Sequence, residues 1–568
     1  MTLKRWAKAQ GNKEIAKDDS ADAVVVGSGA GAAPAALTLA RAGMKVVVLE
    51  KGPAYDQRDF YYDEIRSCRR DFFVPMPSDE PHVGVRHGRG SKTNDAWTAS
   101  CVGGATVQFG AYTYRLHPED LKLRSTIGAV QGATITDWPM SWEQLEPYYE
   151  RAEYEFGVSG DVSKNPFEKR RRPLPLAPLQ TNDISKLIDK AGAELGLHVY
   201  PTTRAILSKP WNGRAGCRYS HFCASYGCET GAKASPLSAI WPKALSTNNC
   251  QIRPLSMVFA VDTDEAGVAT GVRYYDAKGD ERRVRAKVVV VACSAVESAR
   301  LLLMSKGKAH AEGIGNQSGQ VGRNLMFTGL GMGEAHFPRS RPEIAAIDWT
   351  RPFVNRSFQD LYLIKDGERT RKGGTVSFLF PHKNPIFTAE HIATSGKLLW
   401  GKGLKDALHS HHHDTRALEF EIFSETLPID KRFVSLDPEV KDKWDLPVAR
   451  FSYDQHDEDR AINKLLVDRG LDVLRKMGGE AVRASRVGQM TYWLQSGTCR
   501  FGKNPETSVL DPDCRVHTAP NVFVTDASFM PTSGGVTPTL TIEANSFRVG
   551  DRIVALSKAG ALKKVRAP

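Results

Sequence analysis

Asp22-Ala-Val-Val-Val-Gly27-Ser-Gly29-Ala-Gly31-Ala32 opens the stretch that decides the fold, which runs on through Ala35-Ala-Leu-Thr-Leu-Ala-Arg-Ala42, Gly43 and Lys45-Val-Val-Val-Leu49 to Glu50. The run before Gly27 is short, apolar and β-branched, the pattern of a buried strand. The alanine- and leucine-rich segment favours a helix, and Gly43 stops it. A second buried strand follows and ends in an acid. Strand, tight turn, helix, strand and acid, in that order, predict a dinucleotide-binding unit. Gly27 permits the sharp turn, and Gly29, with Gly31 beyond it, lets backbone approach a pyrophosphate. Ala32, in the last small-residue slot, lets the helix pack closely on the strand. The helix N-terminus offers unpaired N–H groups and partial positive charge to phosphates. Glu50 is placed to accept from both ribose hydroxyls. A carboxylate there disfavours a 2′-phosphate, which points to FAD or NAD rather than NADP.

The chain of 568 residues is too long for one core, so two large domains are expected. Its 41% hydrophobic and 25% charged residues match ordinary globular usage. No run reaches the ~18 apolar residues that span a bilayer, and Met1 to Asp19 lacks the apolar core of a secretory signal. A cytoplasmic location without a membrane span is expected, with export alongside a signal-bearing partner as the alternative, and residues 1–19 and 561–568 read as flexible termini. The net charge of +12 reads as a solvated basic surface. Basic patches interleaved with stacking aromatics are missing, so no nucleic-acid partner is expected. Nine cysteines in a chain this long do not form a disulfide framework.

Further segments follow in fixed order: Cys101-Val-Gly103-Gly104-Ala-Thr106, Asp137-Trp-Pro-Met-Ser-Trp142, Lys287-Val-Val-Val-Val-Ala292, Val321-Gly-Arg-Asn-Leu-Met326, Asp437-Pro-Glu-Val-Lys-Asp-Lys-Trp444, Gly497-Thr-Cys-Arg-Phe-Gly502, Asn521-Val-Phe-Val-Thr-Asp526 and Pro538-Thr-Leu-Thr541. Together they resemble the glucose–methanol–choline (GMC) oxidoreductases, in particular the bacterial gluconate and sugar dehydrogenase branch. The resemblance implies an α/β (α+β) fold with a Rossmann-like FAD domain assembled from 20–120, 205–330 and 480–560. A substrate domain built on an antiparallel sheet would comprise 121–204 and 331–479. Gly374-Thr-Val-Ser-Phe-Leu-Phe380, Leu418-Glu-Phe-Glu-Ile-Phe423 and Val448-Ala-Arg-Phe-Ser-Tyr453 alternate as strands of such a sheet do. Glu458 to Met477 reads as an amphipathic helix against it.

By the same resemblance, FAD is the cofactor, and Gly103, Gly104, Val258, Ala292, Asp526, Ala527, Pro538 and Thr539 join the glycine turn in holding it. Val258 would lie near the adenine and Asp526 near the pyrophosphate. The helix starting near Pro538 would aim its N-terminus at the flavin, where reduction places negative charge. Some family members attach FAD through a histidine just after the second glycine turn. Gln108 stands at that position and cannot form the bond, so non-covalent FAD is expected.

The catalytic pattern departs from the family. Oxidising an alcohol needs a base for the hydroxyl proton and an acceptor for hydride. Where the family places a histidine before the Gly-Thr pair, this chain has Leu494. Where the family places histidine or asparagine before the final proline, it has Thr537. Gln495, Ser496 and Thr537 remain as groups able to orient a substrate without ionising. A histidine from elsewhere is an alternative base: His391, His409, His411, His412, His413 or His456, most of them in polar stretches. Other openings are a substrate with an acidic hydroxyl, photochemical use of the flavin, and a subunit active only with a small partner or electron acceptor.

Cys217, Cys223 and Cys228 share one loop. Three thiolates could hold a three-iron cluster, as in some sugar dehydrogenase relatives. Ser220 stands where close relatives often carry a fourth cysteine, which favours a cysteine-rich flap near the flavin. The expected reaction is oxidation of a C–OH group of a sugar, sugar acid, glycoside or other alcohol.

Overall fold

The two apolar runs around the glycine turn become neighbouring parallel strands, β1 (Asp18–Val26) and β2 (Val46–Leu49), linked by helix α1 (Ala33–Arg41). This computed structural model describes residues 17–68, 73–86, 88–97, 99–220, 222–348, 351–381 and 384–562. Val24, Val25, Val47 and Val48 are fully buried, as strands covered on both faces require. β6 (Cys250–Arg253) lies parallel beside β2, and β9 (Glu281–Val291) lies parallel beside β1. β8 (Ala269–Tyr275) and β7 (Met257–Thr263) continue antiparallel from the first part of β9, while β19 (Val522–Val524) runs parallel along its end. Three separated stretches of chain therefore share one seven-stranded sheet.

The last helix, α6 (Thr539–Lys558), locks this arrangement. Ser546 Oγ donates to Gly31 O at 2.6 Å and accepts from Ala35 N–H at 3.0 Å. Gly550 leaves no room for a side chain, since a Cβ there would sit 2.9 Å from Thr38 Cβ. The expected flexible N-terminus needs correction: Asp18 and Asp19 already belong to β1, opposite Arg283 and Val284. Their charges, which suggest solvent in isolation, are paired. Asp18 meets Arg285 at 2.9 Å, and Asp19 meets Arg253. At the other end Leu562 is buried; residues 1–16 and 563–568 lie outside the described residues.

The second sheet is antiparallel, in the order β18 (Glu480–Ser496), β10 (Met326–Pro338), β15 (Thr415–Ser424), β14 (Gly374–Leu379), β11 (Arg356–Phe358) and β5 (Tyr200–Pro201). Its alternation sorts the two faces. Leu418, Phe420 and Ile422 of β15 pack with Ile462, Leu466, Val467, Leu471 and Leu474 of α5 (Asp457–Lys476). Asp457, Glu458 and Asp459 complement the positive start of that helix, and His456 accepts from Glu458 N–H at 3.1 Å.

One expected boundary shifts. Residues 480–496, assigned from sequence to the FAD domain, form β18 and pair with β10 across the second sheet. Most of their side chains are exposed, so the strand's place comes from its ladder with β10 and not from an apolar pattern. β16 (Val434–Lys441), β17 (Pro447–Ser452), β3 (His82–Arg86) and β4 (Arg89–Thr93) form a third, four-stranded sheet. β12 (Leu363–Asp366) and β13 (Arg369–Lys372) make a separate hairpin. Among the described residues, no helix is long and apolar enough to cross a membrane.

Candidate active site

The two sheets share a cavity of about 500 Å³, within the range of cofactor sites. The first sheet lines it with Gly27, Gly29, Gly31, Glu50, Gly104, Val258, Ala292, Asp526 and Ala527. Gly27 has φ +93°, and a Cβ there would lie 2.3 Å from Ala292 O. At Gly104 a Cβ would lie 2.8 Å from Gly29 Cα. The two glycine turns thus meet backbone to backbone, in a cradle that any side chain would fill. Gly103 and Ala32 stand behind this wall: Gly103 N–H donates to Ser28 Oγ at 3.1 Å, and Ala32 is buried at the start of α1.

Glu50 accepts from Ser28 Oγ at 2.6 Å and from Gly52 N–H at 2.8 Å. Burial raises its pKa against the pull of those bonds. Asp526 accepts from Ser528 N–H at 2.8 Å and from the Ser298 hydroxyl, and burial raises its pKa as well. Thr537, Pro538 and Thr539 bring the N-terminus of α6 onto the wall. A glycine cradle, a buried carboxylate and the starts of α1 and α6 are a donor set that fits FAD. Gln108 also lines the cavity.

The opposite wall carries different chemistry. Leu379, Glu421, Phe423, Trp493 and Leu494 come from the second sheet, with Tyr112, Arg204 and Phe353 beside them. The Arg204 guanidinium lies 3.9 Å from the Tyr112 ring centroid and donates through Nε to Asn355 Oδ1 at 2.8 Å. The buried Tyr112 hydroxyl faces the Glu421 carboxyl and favours its ionised form. Burial raises the Glu421 pKa, and Tyr112 and Arg204 oppose that rise. One pleat along β15, burial and the neighbouring Glu334 push Glu419 up to about 7.

The three residues expected to handle substrate separate in the structure. Thr537 lies on the wall; its Oγ1 donates to Tyr112 O at 3.1 Å, which leaves its lone pairs for an incoming hydroxyl. Gln495 reaches the wall, but its amide braces the backbone. Nε2 donates to Ala96 O and to Tyr492 O, and Oε1 accepts from Val296 N–H. Ser496 is buried away from the cavity. Neither fits the expected role, because β18 turns both toward packing. None of His391, His409, His411, His412, His413 and His456 lines the cavity, nor does any other histidine among the described residues.

The cysteine loop is fastened by a buried ammonium: Lys233 Nζ donates to Phe109 O, Cys223 O and Tyr226 O at 2.7–3.0 Å. Cys223 reaches the cavity wall. Cys217 Sγ accepts from Tyr219 N–H, and Cys228 Sγ from Lys233 N–H. Burial pushes the Cys217 thiol up to about 12, and the three sulfurs do not all lie within 4.8 Å of one another.

Glu421 escaped the sequence reading. In Leu418-Glu-Phe-Glu-Ile-Phe423 its alternation with apolar residues suggests a solvent face, yet that face meets the cavity. Two carboxylates two residues apart on a strand ending in buried Phe423 and Ser424 were the available signal.

The profile of the GMC oxidoreductase N-terminal domain matches residues 22–328, and that of the C-terminal domain matches 428–546. The chain is 31% identical over 552 residues to 2-methyl-1,2-propanediol dehydrogenase of Mycolicibacterium austroafricanum, covering 94% of this chain and 95% of the relative. It is 28% identical to the fructose dehydrogenase large subunit of Gluconobacter japonicus, covering 95% and 99%. Among solved structures, pyridoxine 4-oxidase from Mesorbium loti shares the fold at TM-score 0.60 and 17% identity, covering 94% and 98%. With both family domains matched in order along one chain, this protein belongs to the GMC oxidoreductases and is a flavoprotein dehydrogenase or oxidase.

Proposed function

We propose that the protein binds FAD without a covalent link and oxidises a C–OH group of a sugar, sugar acid, glycoside or other alcohol, with Glu421 as the proton acceptor. The observation that carries this reading is a half-buried carboxyl on the cavity wall opposite the glycine turns, with Tyr112 and Arg204 beside it and no histidine on that wall among the described residues. A base is most effective when its pKa approaches the working pH, and burial moves Glu421 in that direction. Relatives named for a diol and for fructose support a hydroxyl-bearing substrate. Gln108, at the family's attachment position, supports a dissociable cofactor.

FAD, when bound, supplies the two-electron acceptor for the hydride that leaves the carbinol carbon. The chain's own residues do the rest. Gly27, Gly29, Gly31, Gly104, Glu50 and Asp526 hold the cofactor, and the α6 N-terminus with Pro538 and Thr539 favours negative charge beside it. Glu421 takes the hydroxyl proton on its carboxylate. Thr537 Oγ1 and the Tyr112 hydroxyl orient the reacting oxygen, and the Arg204 charge favours the ionised form of Glu421. Leu379, Leu494, Phe353 and Phe423 exclude water around them.

The test is anaerobic mixing with a panel of polyols, sugars, glycosides and aromatic alcohols. Loss of the oxidised flavin band with at least one of them is expected, together with release of the flavin on acid precipitation. No bleaching across the panel, or flavin that stays with the precipitate, overturns the proposal.

A further inference from the structure

Away from the cavity, one histidine-rich turn has a geometry that the oxidoreductase reading does not use. α4 (Gly401–His409), which follows α3 (Pro385–Thr394), runs into a wider π-type turn over Ser410–Asp414 before β15 begins. Such widened turns concentrate at functional positions. Here the turn stacks the imidazoles of His409 and His413, with ring centroids 4.6 Å apart and planes inclined by 27°. Asp414 Oδ1 lies 3.0 Å from His413 Nδ1 and 4.0 Å from His409 Nδ1. All three side chains are exposed, and their ligand atoms lie within 4.8 Å of one another.

We propose that His409, His413 and Asp414 form a surface site for a divalent transition-metal ion, zinc in the first instance, with water at the fourth position. Two imidazole nitrogens and a carboxylate oxygen are a common zinc donor set, and zinc–ligand bonds of roughly 2.0–2.2 Å in a tetrahedron put donors about 3.4 Å apart. The observed separations bracket that value, so small side-chain rotations close the site. The histidine pair is spaced i,i+4, the spacing that clamps zinc on a helix face. Arg339 and Arg416 are the nearby cations. Their guanidinium contacts go to His413 O and His412 O, and Arg339 N–H donates to Asp414 O; none takes a ligand atom.

The placement gives the ion a structural consequence. His409 ends α4, and Asp414 immediately precedes β15, the strand that carries Glu421. A bound ion ties the end of α4 to the start of β15, an interior strand of the second sheet, and slows opening of the turn between them.

The test uses tag-free, full-length, flavin-loaded protein treated with a chelator, desalted, and titrated with zinc chloride by calorimetry. One zinc per chain is expected, with slowed amide exchange over residues 401–414. His409→Ala, His413→Ala and Asp414→Asn should each weaken binding by more than about tenfold. His198→Ala, which removes an exposed histidine paired with Asp360 at 2.6 Å, should leave it unchanged. Unaltered flavin spectra and zinc-free melting curves establish that each variant folds. An adventitious ion only, seen as uptake that is equal in all variants, overturns the proposal, as does wild-type protein that takes up no zinc.

Discussion

The first sheet's side meets the cavity chiefly through glycine backbone, joined by the Glu50 and Asp526 carboxyls, and the second meets it with side chains alone. At Gly27 and Gly104 a Cβ would collide with Ala292 O and Gly29 Cα, so glycine is required wherever chain approaches chain or cofactor. On the second sheet, Glu421, Leu379 and Phe423 line the same cavity through what they project from ordinary strands. Backbone recognition tolerates almost no sequence change. Side-chain chemistry can be exchanged while the strand persists, as at Leu494 of β18, where the resemblance implies a histidine.

Substitutions on the two walls should therefore fail differently. The largest effect is expected from Gly27→Val, where a positive φ and a 2.3 Å approach combine: purified protein should carry no flavin, measured as the ratio of visible to ultraviolet absorbance. Next comes Glu421→Gln, which should retain full flavin while slowing its anaerobic reduction by about 10²–10⁴-fold. A matching loss of flavin in that variant would erase the distinction between the walls. Glu50→Gln weakens an anionic acceptor, and hydrogen bonds to charged groups are worth about 1.5–3 kcal/mol. FAD affinity should fall by roughly tenfold to a hundredfold, with the reduction rate at saturating FAD preserved. Thr537→Val removes one neutral hydrogen-bonding group, and about a fivefold loss in kcat/KM is expected from ~1 kcal/mol.

The smallest effect concerns stability. The folded protein holds Glu421 protonated above the ordinary carboxylate range. That contribution is fully present below the unfolded glutamate value and is lost as pH rises through the raised folded value. Glu421→Gln should flatten this part of the denaturation profile, measured by urea unfolding across pH.

The same contrast explains what could be read from the chain alone. The strand–turn–helix–strand unit was legible because its glycines and flanking apolar runs must sit at fixed positions for backbone reasons. The shared cavity places most of those residues on one wall. Gln495 and Ser496 looked available because they neighbour the Gly497 turn, but sequence does not reveal that the Gln495 amide is consumed by Ala96, Tyr492 and Val296. Glu421 was hidden for the converse reason, since alternation on β15 gives the same signal whether the polar face meets water or a cavity. β18 was misplaced because its exposed side chains carry no record of the ladder it forms with β10.

The most direct test of the Glu421 assignment is the pH dependence of anaerobic flavin reduction in wild type and Glu421→Gln, by stopped flow, with the best substrate from the panel. The wild-type rate should rise with pH through one ionisation above the ordinary glutamate range, and the variant should be slow and flat over the same interval. A variant that keeps the wild-type rate and profile would contradict it.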